Sequence, residues 1–484
     1  MQVIKKKERL IIYIDDIVYG GNGIGKCPNK HTQDFVIFVK NAIEGQTVLA
    51  EITKSKSNYA EAKIIEVIEK SDLQKKRNYQ KISGAPYYDL DIKYQRKKKK
   101  ELVMEVFQKI GHIHDIEKYY DDFIESPKTW HYRNKMEYAF SSIIYDTKKK
   151  GDVDDFGLGF KKSNTWWMVE NLNKDSGLFD KKWEDSLCQI REFCEQTKLP
   201  AWNIPQKKGF FRNLNVRKSY KEDKLLIEIV TSSININKFN TDLFIKKILE
   251  LHEKRIEGII HTINNDISDR INYKNVVSHV IYGKNKIVEN LLGLDFEIYM
   301  SSFFQTNPLC AQKLYNKVVE YSSSQNNDTN TPIILDLFCG TGTIAQMIAI
   351  QNKDAHVIGV DIAESAIQNA IESALKNNIK NVEFHNLDTG DFLIKNPHLK
   401  NKINTIIIDP PRPGVSKKSI KKIIALDSKE IIYVSCNPST QARDVKLFIE
   451  HGYKIKKFSI ADQFPHTHHI ETIFILVKSI DNVS

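Results

Sequence analysis

Three segments in the last fifth of the chain carry residues that could do chemistry together. Ile406-Ile407-Ile408 runs into Asp409-Pro410-Pro411-Arg412, Ile431-Ile432-Tyr433-Val434 runs into Ser435-Cys436-Asn437-Pro438, and Asp462-Gln463-Phe464-Pro465 leads to His469-Ile470-Glu471. Short apolar runs bounded by Pro, Asn and Gly are the pattern of buried parallel strands, and open α/β sheets gather their ligands at the carboxyl ends of such strands. The sequence therefore predicts a thiol and two carboxylates converging on one crevice. A thiolate there is a nucleophile for covalent catalysis, and a neighbouring carboxylate can take a proton from whatever the sulfur has activated. Cys436 differs from the other cysteines in lying past a strand end, between Ser435 and Asn437, opposite the Asp409 loop; Cys27, Cys188, Cys194, Cys310 and Cys339 read as small apolar residues.

Upstream, Ile333 to Leu337 reads as a strand, Phe338-Cys339-Gly340-Thr341-Gly342-Thr343 as a glycine turn, and Ile344 to Gln351 as a helix. Gly340, Gly342 and Ala345 fit the G-x-G-x-x-G/A pattern, in which glycines let the backbone approach a nucleotide ligand. The next strand, Val357 to Val360, ends in Asp361, where a carboxylate can accept hydrogen bonds from both ribose hydroxyls. Nicotinamide dinucleotides and S-adenosylmethionine share that ribose, so the turn and Asp361 do not separate them. Asp409-Pro410-Pro411 does, since a later strand end is where methyltransferases hold the acceptor beside the methyl group. A dehydrogenase has no use for a thiol and two carboxylates there. Carbon 5 of a pyrimidine is a poor nucleophile that becomes enolate-like once a thiolate has added to carbon 6. On this reading Cys436 is the thiol, and Glu471, opening a final strand over Thr472 to Val477, is the base that removes the carbon 5 proton.

The whole chain frames that reading. Its 484 residues exceed what one core holds, and a net charge of +11 with a pI near 9.0 favours an anionic partner such as nucleic acid. The scattered cysteines lack metal spacing and predict reduced thiols in a cytoplasm. His466, His468 and His469 have no further ligand at matching spacing, so no metal site is expected. Lys5 to Lys7 before Leu10 to Ile14 imitates a leader, but Asp15 and Asp16 break the apolar run, and no stretch approaches the roughly 20 apolar residues of a membrane span.

Residues 1–70 alternate short β-rich runs with a Gly20-to-Gly25 turn, the pattern of a small OB-like barrel that serves as an oligonucleotide platform. Tyr94 to Gly111 is predicted as a helix with Val103, Val106, Phe107 and Ile110 on one apolar face and Lys97 to Lys100 as a solvated charge run. Residues 71–300 read as a middle α+β region. Residues 301–484 read as a Rossmann-like, doubly wound α/β domain preceded by a surface loop at Ser322 to Thr331. The helix is a candidate to pack on that last domain.

Seven segments carry a resemblance over nearly the whole chain: Tyr132-Arg133-Asn134-Lys135-Met136-Glu137, Arg212-Asn213-Leu214, Ser302 to Asn307, Leu335 to Gly342, Asp409 to Gly414, Ser435 to Pro438 with Ala442-Arg443-Asp444, and Phe464-Pro465 through Glu471. In these the chain resembles the RNA uracil-5-methyltransferases, and residues 1–70 resemble a TRAM domain, an RNA-binding barrel. The resemblance implies S-adenosylmethionine as cofactor, Cys436 as nucleophile and Glu471 as proton acceptor. It implies cofactor contacts from Gln305, Phe338, Asp361 and Asp409, with Thr343 and Asp388 at further positions near the cofactor. Cytosine-5 relatives carry an additional Cys in the Asp-Pro-Pro loop where Arg412 stands here, which favours uracil. The transfer-RNA branch of the family typically lacks such a barrel, which makes 23S ribosomal RNA the expected substrate, with a transfer-RNA uridine as the alternative. A catalytically silent RNA-binding ribosome-assembly factor is the non-enzymatic alternative. Members of this kind often bind an iron-sulfur cluster through a C-x5-C-x2-C run after the barrel. Tyr79 to Tyr88, the matching stretch, has no cysteine, so no cluster is expected. Arg133 and Arg212 are candidates for RNA contact, the protein is expected to be a cytoplasmic monomer, and no membrane partner is expected.

Overall fold

The first six strands form one sheet, in the spatial order Arg9–Tyr13, Thr47–Ser55, Tyr59–Glu69, Val36–Lys40, Asn22–Lys26, Asp16–Val18. In this computed structural model, residues 4–26, 35–146, 148–149, 151–163, 165–268, 271–273, 275–322 and 331–479 are described. Alternate residues of these strands, among them Ile12, Ile37, Val39, Val48, Ala50 and Ile52, fill the interior, as a period of two requires. The predicted six-residue glycine turn is shorter than expected: only Gly20 and Gly21 turn, with φ of 95° and 82°, and Asn22–Lys26 is a strand. Gly23 and Gly25 serve close packing instead, because a Cβ would lie 2.8 Å from those of Ala42 and 2.2 Å from the Tyr13 carbonyl oxygen, respectively.

The predicted helix spans Ile92–Lys109, capped by the Asp91 side chain on Lys93 N. Its apolar face holds Val103, Val106 and Phe107, and Phe107 stacks on Phe474 at 4.4 Å between centroids. Ile110 falls past the helix end and is exposed. The lysine run is not the solvated face that its composition predicts. Lys97 is exposed, but Lys98 is buried and paired with Asp16, while Lys99 is buried with its Nζ 2.6 Å from Asp462 Oδ1 and 3.0 Å from the Phe464 carbonyl. One turn of helix thus holds a barrel carboxylate and a carboxylate of the carboxyl-terminal segment. Truncating Lys99 to alanine removes the shorter of two ion pairs from Asp462, fully buried, and leaves it only Arg96, whose Nε lies 3.6 Å away; the expected loss is about 3 kcal/mol of unfolding free energy, the lower end for breaking a buried pair, read by urea denaturation.

Contacts divide the chain into two units, each assembled from stretches distant in sequence. The first comprises Met1–Asn78, Ala85–Thr129 and Pro397–Ser484, the second Tyr79–Gly84 and Trp130–Asn396. In the first, beyond the barrel, five strands lie in the order Ile403–Ile408, Glu430–Ser435, Glu471–Lys478, Tyr453–Ala461, Tyr120–Ile124. The first two run parallel in register Ile406 to Ile431, and Glu471–Lys478 runs antiparallel beside the second. Ile406, Ile407, Ile408, Ile431 and Ile432 are fully buried, which is why these strands read as continuous apolar runs.

In the second unit Ile333–Leu337, His356–Asp361 and Val382–Asn386 form a parallel set with helices Thr343–Gln351 and Glu364–Lys376 as connections. Seven further strands, including Lys135–Asp146, Phe211–Lys218, Leu225–Thr231 and Ile256–Ile263, form a separate sheet. Where a cluster-binding run would have begun, Tyr79 packs on Trp130 at 4.6 Å and edge-on against His131, and Gln80 bonds the Asn171 carbonyl and Asn173 N at 2.6 and 2.9 Å. Ordinary packing holds this stretch. Among the described residues no helix is long and apolar enough to cross a membrane, and no group of three or more His, Cys, Asp or Glu could hold a metal. The predicted loop before the last domain falls mainly on residues 323–330, outside the described residues, as does Cys27.

Candidate active site

The strand Glu430–Ser435 ends one residue before Cys436, and helix Pro438–Glu450 starts two residues after it. Asn437 is the hinge of this tight connection. Its side chain caps the helix by accepting from Ser439 N at 3.2 Å and donates to the Arg412 carbonyl at 3.0 Å. Thr440 Oγ1 donates to the same carbonyl at 3.2 Å, so the thiol loop and the Asp409-Pro410-Pro411-Arg412 loop are held together. Asp444 completes the clamp: its buried carboxylate accepts from Val415 N at 2.9 Å and Tyr433 Oη at 2.7 Å and pairs with Arg443. Gly414, with φ of 76°, is needed there because a Cβ would lie 2.7 Å from Asp444 Oδ2. Glu471 is fixed through its neighbour, since Thr472 Oγ1 donates to Gln441 Oε1 at 2.5 Å and Gln441 Nε2 donates to the Tyr433 carbonyl at 2.7 Å.

Cys436, Asp409, Glu471 and Arg412 share one electrostatic environment. Burial pushes the half-buried Cys436 thiol up to about 11, with Glu471 and then Asp409 adding to the rise and Arg412 opposing it. Desolvation raises the Asp409 carboxyl to about 7. Glu471 is held well above the ordinary carboxylate range, first by burial and then by Asp409, with Arg412 again opposing. The unliganded site therefore disfavours charge on sulfur and on Glu471 alike, with Asp409 near its midpoint at neutral pH. Arg412 is the cation that favours ionisation of both. In the sequence Arg412 is legible only as a residue that is not cysteine.

The glycine turn lies in the other unit. Phe338 sits at φ 64°, a conformation that an aromatic side chain rarely adopts and that marks a constrained turn. A Cβ on Gly340 would meet nothing within 4 Å, whereas one on Gly342 would lie 2.5 Å from Phe384. Gly340 is thus open to a ligand, and Gly342 is required by packing against the sheet. Asp361 accepts from Gly340 N at 3.0 Å and Ala363 N at 2.8 Å; two carboxylate oxygens retain lone pairs for two hydroxyls beyond these. Thr343 is buried at the start of the following helix. Asp388 caps helix Thr389–Lys395 by accepting from Gly390 N and Asp391 N. Gln305 is half-buried between exposed Phe303 and buried Asn307.

Residues 274–479 match the tRNA (Uracil-5-)-methyltransferase family model and residues 8–65 the TRAM domain. An uncharacterized RNA methyltransferase of Caldanaerobacter subterraneus is 34% identical over 98% of this chain and 100% of its own length. One of Clostridium tetani is 34% identical over 97% of this chain and 98% of its own. The chain belongs to the RNA uracil-5-methyltransferase family. Among solved structures, the Pyrococcus abyssi tRNA (uracil-54, C5)-methyltransferase in complex with S-adenosyl-L-homocysteine superposes with a TM-score of 0.71, at 25% identity, over 97% of this chain and 99% of that one.

Membership makes the protein an S-adenosylmethionine-dependent enzyme acting on RNA. The second unit fits that cofactor: an unobstructed Gly340 and a constrained Phe338 leave the turn's backbone accessible, and Asp361, at the end of the next strand, keeps carboxylate lone pairs that could accept from ribose hydroxyls. Arg212, by contrast, is committed to structure. Its guanidinium stacks on Trp202 at 4.1 Å and donates to the carbonyls of Asn264, Asp266 and Ser268. His466 is held as well, its Nδ1 3.0 Å from Gln95 Nε2 and its N–H donating to Gln95 Oε1 at 2.9 Å. Asn437, Gln441 and Asp444 were visible in the sequence only as polar residues around the thiol.

Proposed function

We propose that the protein methylates carbon 5 of a uridine in 23S ribosomal RNA through a covalent adduct between Cys436 and carbon 6. The observation that carries this reading is the grouping of the Cys436 thiol with Glu471, Asp409 and Arg412 at adjoining strand ends. Arg412 favours loss of the thiol proton to solvent, and the thiolate adds to carbon 6, moving the electron pair of the carbon 5–carbon 6 double bond onto carbon 5 and oxygen 4. S-adenosylmethionine, when bound, would supply an electrophilic methyl group, the electron pair of the broken sulfur–carbon bond staying on the departing S-adenosylhomocysteine. Carbon 5 takes up that methyl while still bearing its hydrogen. The ionised Glu471 carboxylate removes this proton, the double bond re-forms, and Cys436 leaves as thiolate. Gln305, Phe338, Asp361, Asp409, Thr343 and Asp388 are the residues we assign to the cofactor side. The uridine must leave its stack to react, at a cost of a few kcal/mol that favours loops and bulges over duplex.

An RNA substrate is supported by the net charge of +11 and the TRAM match at the amino terminus, and the choice of ribosomal RNA rests on the barrel, which the transfer-RNA branch of the family typically lacks. A transfer-RNA uridine is the second reading. It is favoured by the Pyrococcus abyssi transfer-RNA enzyme, whose likeness extends over 97% of this chain, barrel included. The test is tritium release from RNA labelled at uracil carbon 5, with ribosomal and transfer RNA supplied separately. Release from ribosomal RNA alone is expected; release from transfer RNA alone transfers the proposal to the second reading. Release from neither, naked or ribosome-bound, with RNA binding intact, contradicts the catalytic assignment.

A further inference from the structure

The barrel reaches the catalytic loop through one turn. Asp16–Val18 leads into Tyr19-Gly20-Gly21, and the half-buried Tyr19 donates its hydroxyl to Asn437 Oδ1 at 3.2 Å, next to the thiol. Gly21 packs so closely on His468 that a Cβ would lie 3.0 Å from its ring, three residues before Glu471. Asp16, at the base of the turn, is held by Lys98. The turn is thus fastened at both ends and pressed onto the segment that delivers Glu471. Asn437 is the residue that Tyr19 touches, and it also caps the helix after Cys436 and bonds the Arg412 carbonyl. Cys436, Glu471 and Arg412 all lie within electrostatic range of the Tyr19 hydroxyl, and Ser439 bonds it as well; burial raises the phenol to about 12, so it is a neutral donor throughout the working pH range.

We propose that Tyr19, a residue of the RNA-binding barrel, is a positioning residue of the methyltransferase site: its hydrogen bond to Asn437 fixes the Cys436 connection against the Arg412 loop. The proposal rests on Cys436 being the nucleophile. Its consequence is that the barrel does more than bind RNA. It supplies part of the scaffold on which sulfur is aimed, and a change in the barrel turn is felt in catalysis.

Tyr19→Phe removes only the hydroxyl. The loss of one neutral hydrogen bond is expected to slow capture of 5-fluorouridine-substituted RNA as a covalent protein adduct about five- to tenfold, with RNA affinity and melting temperature unchanged. Asn437→Ala is expected to be slower still, and adding Tyr19→Phe to it should cost nothing further, since the two act through one bond. An unchanged capture rate in Tyr19→Phe, a loss confined to RNA affinity, or additive effects in the double variant would overturn the proposal. The parent protein and Cys436→Ala are run alongside. If the parent forms no adduct, the thiol mechanism itself fails; if it does and Tyr19→Phe matches it, only the role of Tyr19 fails.

Discussion

Cys436→Ala is expected to abolish methyl transfer, by at least about 10,000-fold, while leaving the protein folded and able to bind RNA. The size follows from the chemistry. Without sulfur at carbon 6, carbon 5 of uracil has no electron pair to offer a methyl group, and no other group of the site substitutes. Asp409 and Glu471 are carboxyls raised by burial, and the next cysteine, Cys339, lies in the other unit and is held well above the ordinary thiol range by its own burial. The substitution is tolerable to the fold because Cys436 is only half-buried and the loop around it is held by Asn437, Thr440 and Asp444 rather than by the thiol. Methyl transfer from labelled S-adenosylmethionine and RNA binding by filter retention, measured on the same preparation, check both halves of the expectation.

The second large effect belongs to Glu471. Glu471→Gln keeps the size of the side chain and cannot accept the carbon 5 proton, so the reaction is expected to stop after methyl uptake. Turnover should fall about 100- to 10,000-fold, and protein should become trapped on RNA as a methylated adduct that survives denaturing electrophoresis. The parent should show a pH dependence of the same origin. Burial and Asp409 raise the folded-state Glu471 carboxyl far above its unfolded value, so the proton-accepting form grows as pH rises, and release of product from the adduct should speed up with it. The sign is opposite for stability. The raised carboxyl favours folding fully below its unfolded value near 4.5, and this contribution is lost as pH climbs through the folded one.

Much of this arrangement was legible in the residues. Ile406 to Ile408 and Ile431 to Val434 read as buried strands because both faces of the sheet are covered, and a strand that ends in Asp409 or leads into Cys436 delivers it where ligands collect. The glycine turn was legible for a similar reason, since Gly340 and Gly342 take positive φ between a strand and a helix. What stayed hidden depends on partners far away along the chain. Lys98 and Lys99 look like a solvated run until Asp16 and Asp462 are brought to them, the latter 363 residues distant. Tyr19 gives no signal of its own, because its bond to Asn437 spans 418 residues. Gly23 and Gly25 read as turn formers, although the barrel needs them for the close approach of Ala42 and the Tyr13 carbonyl. Periodicity and strand-end rules capture local placement; long-range ion pairs and close contacts between segments leave no local pattern.

The most direct test of the central claim is to locate the covalent bond. RNA containing 5-fluorouridine at the target position is incubated with the protein and S-adenosylmethionine, digested with nuclease and protease, and the surviving nucleotide–peptide conjugate is sequenced by mass spectrometry. Fluorine cannot leave as a cation, so the adduct persists. A single conjugate is expected, attached through Cys436 and carrying one added methyl group. A conjugate on any other residue, or efficient methylation of ordinary RNA by a protein that forms no conjugate, would contradict it.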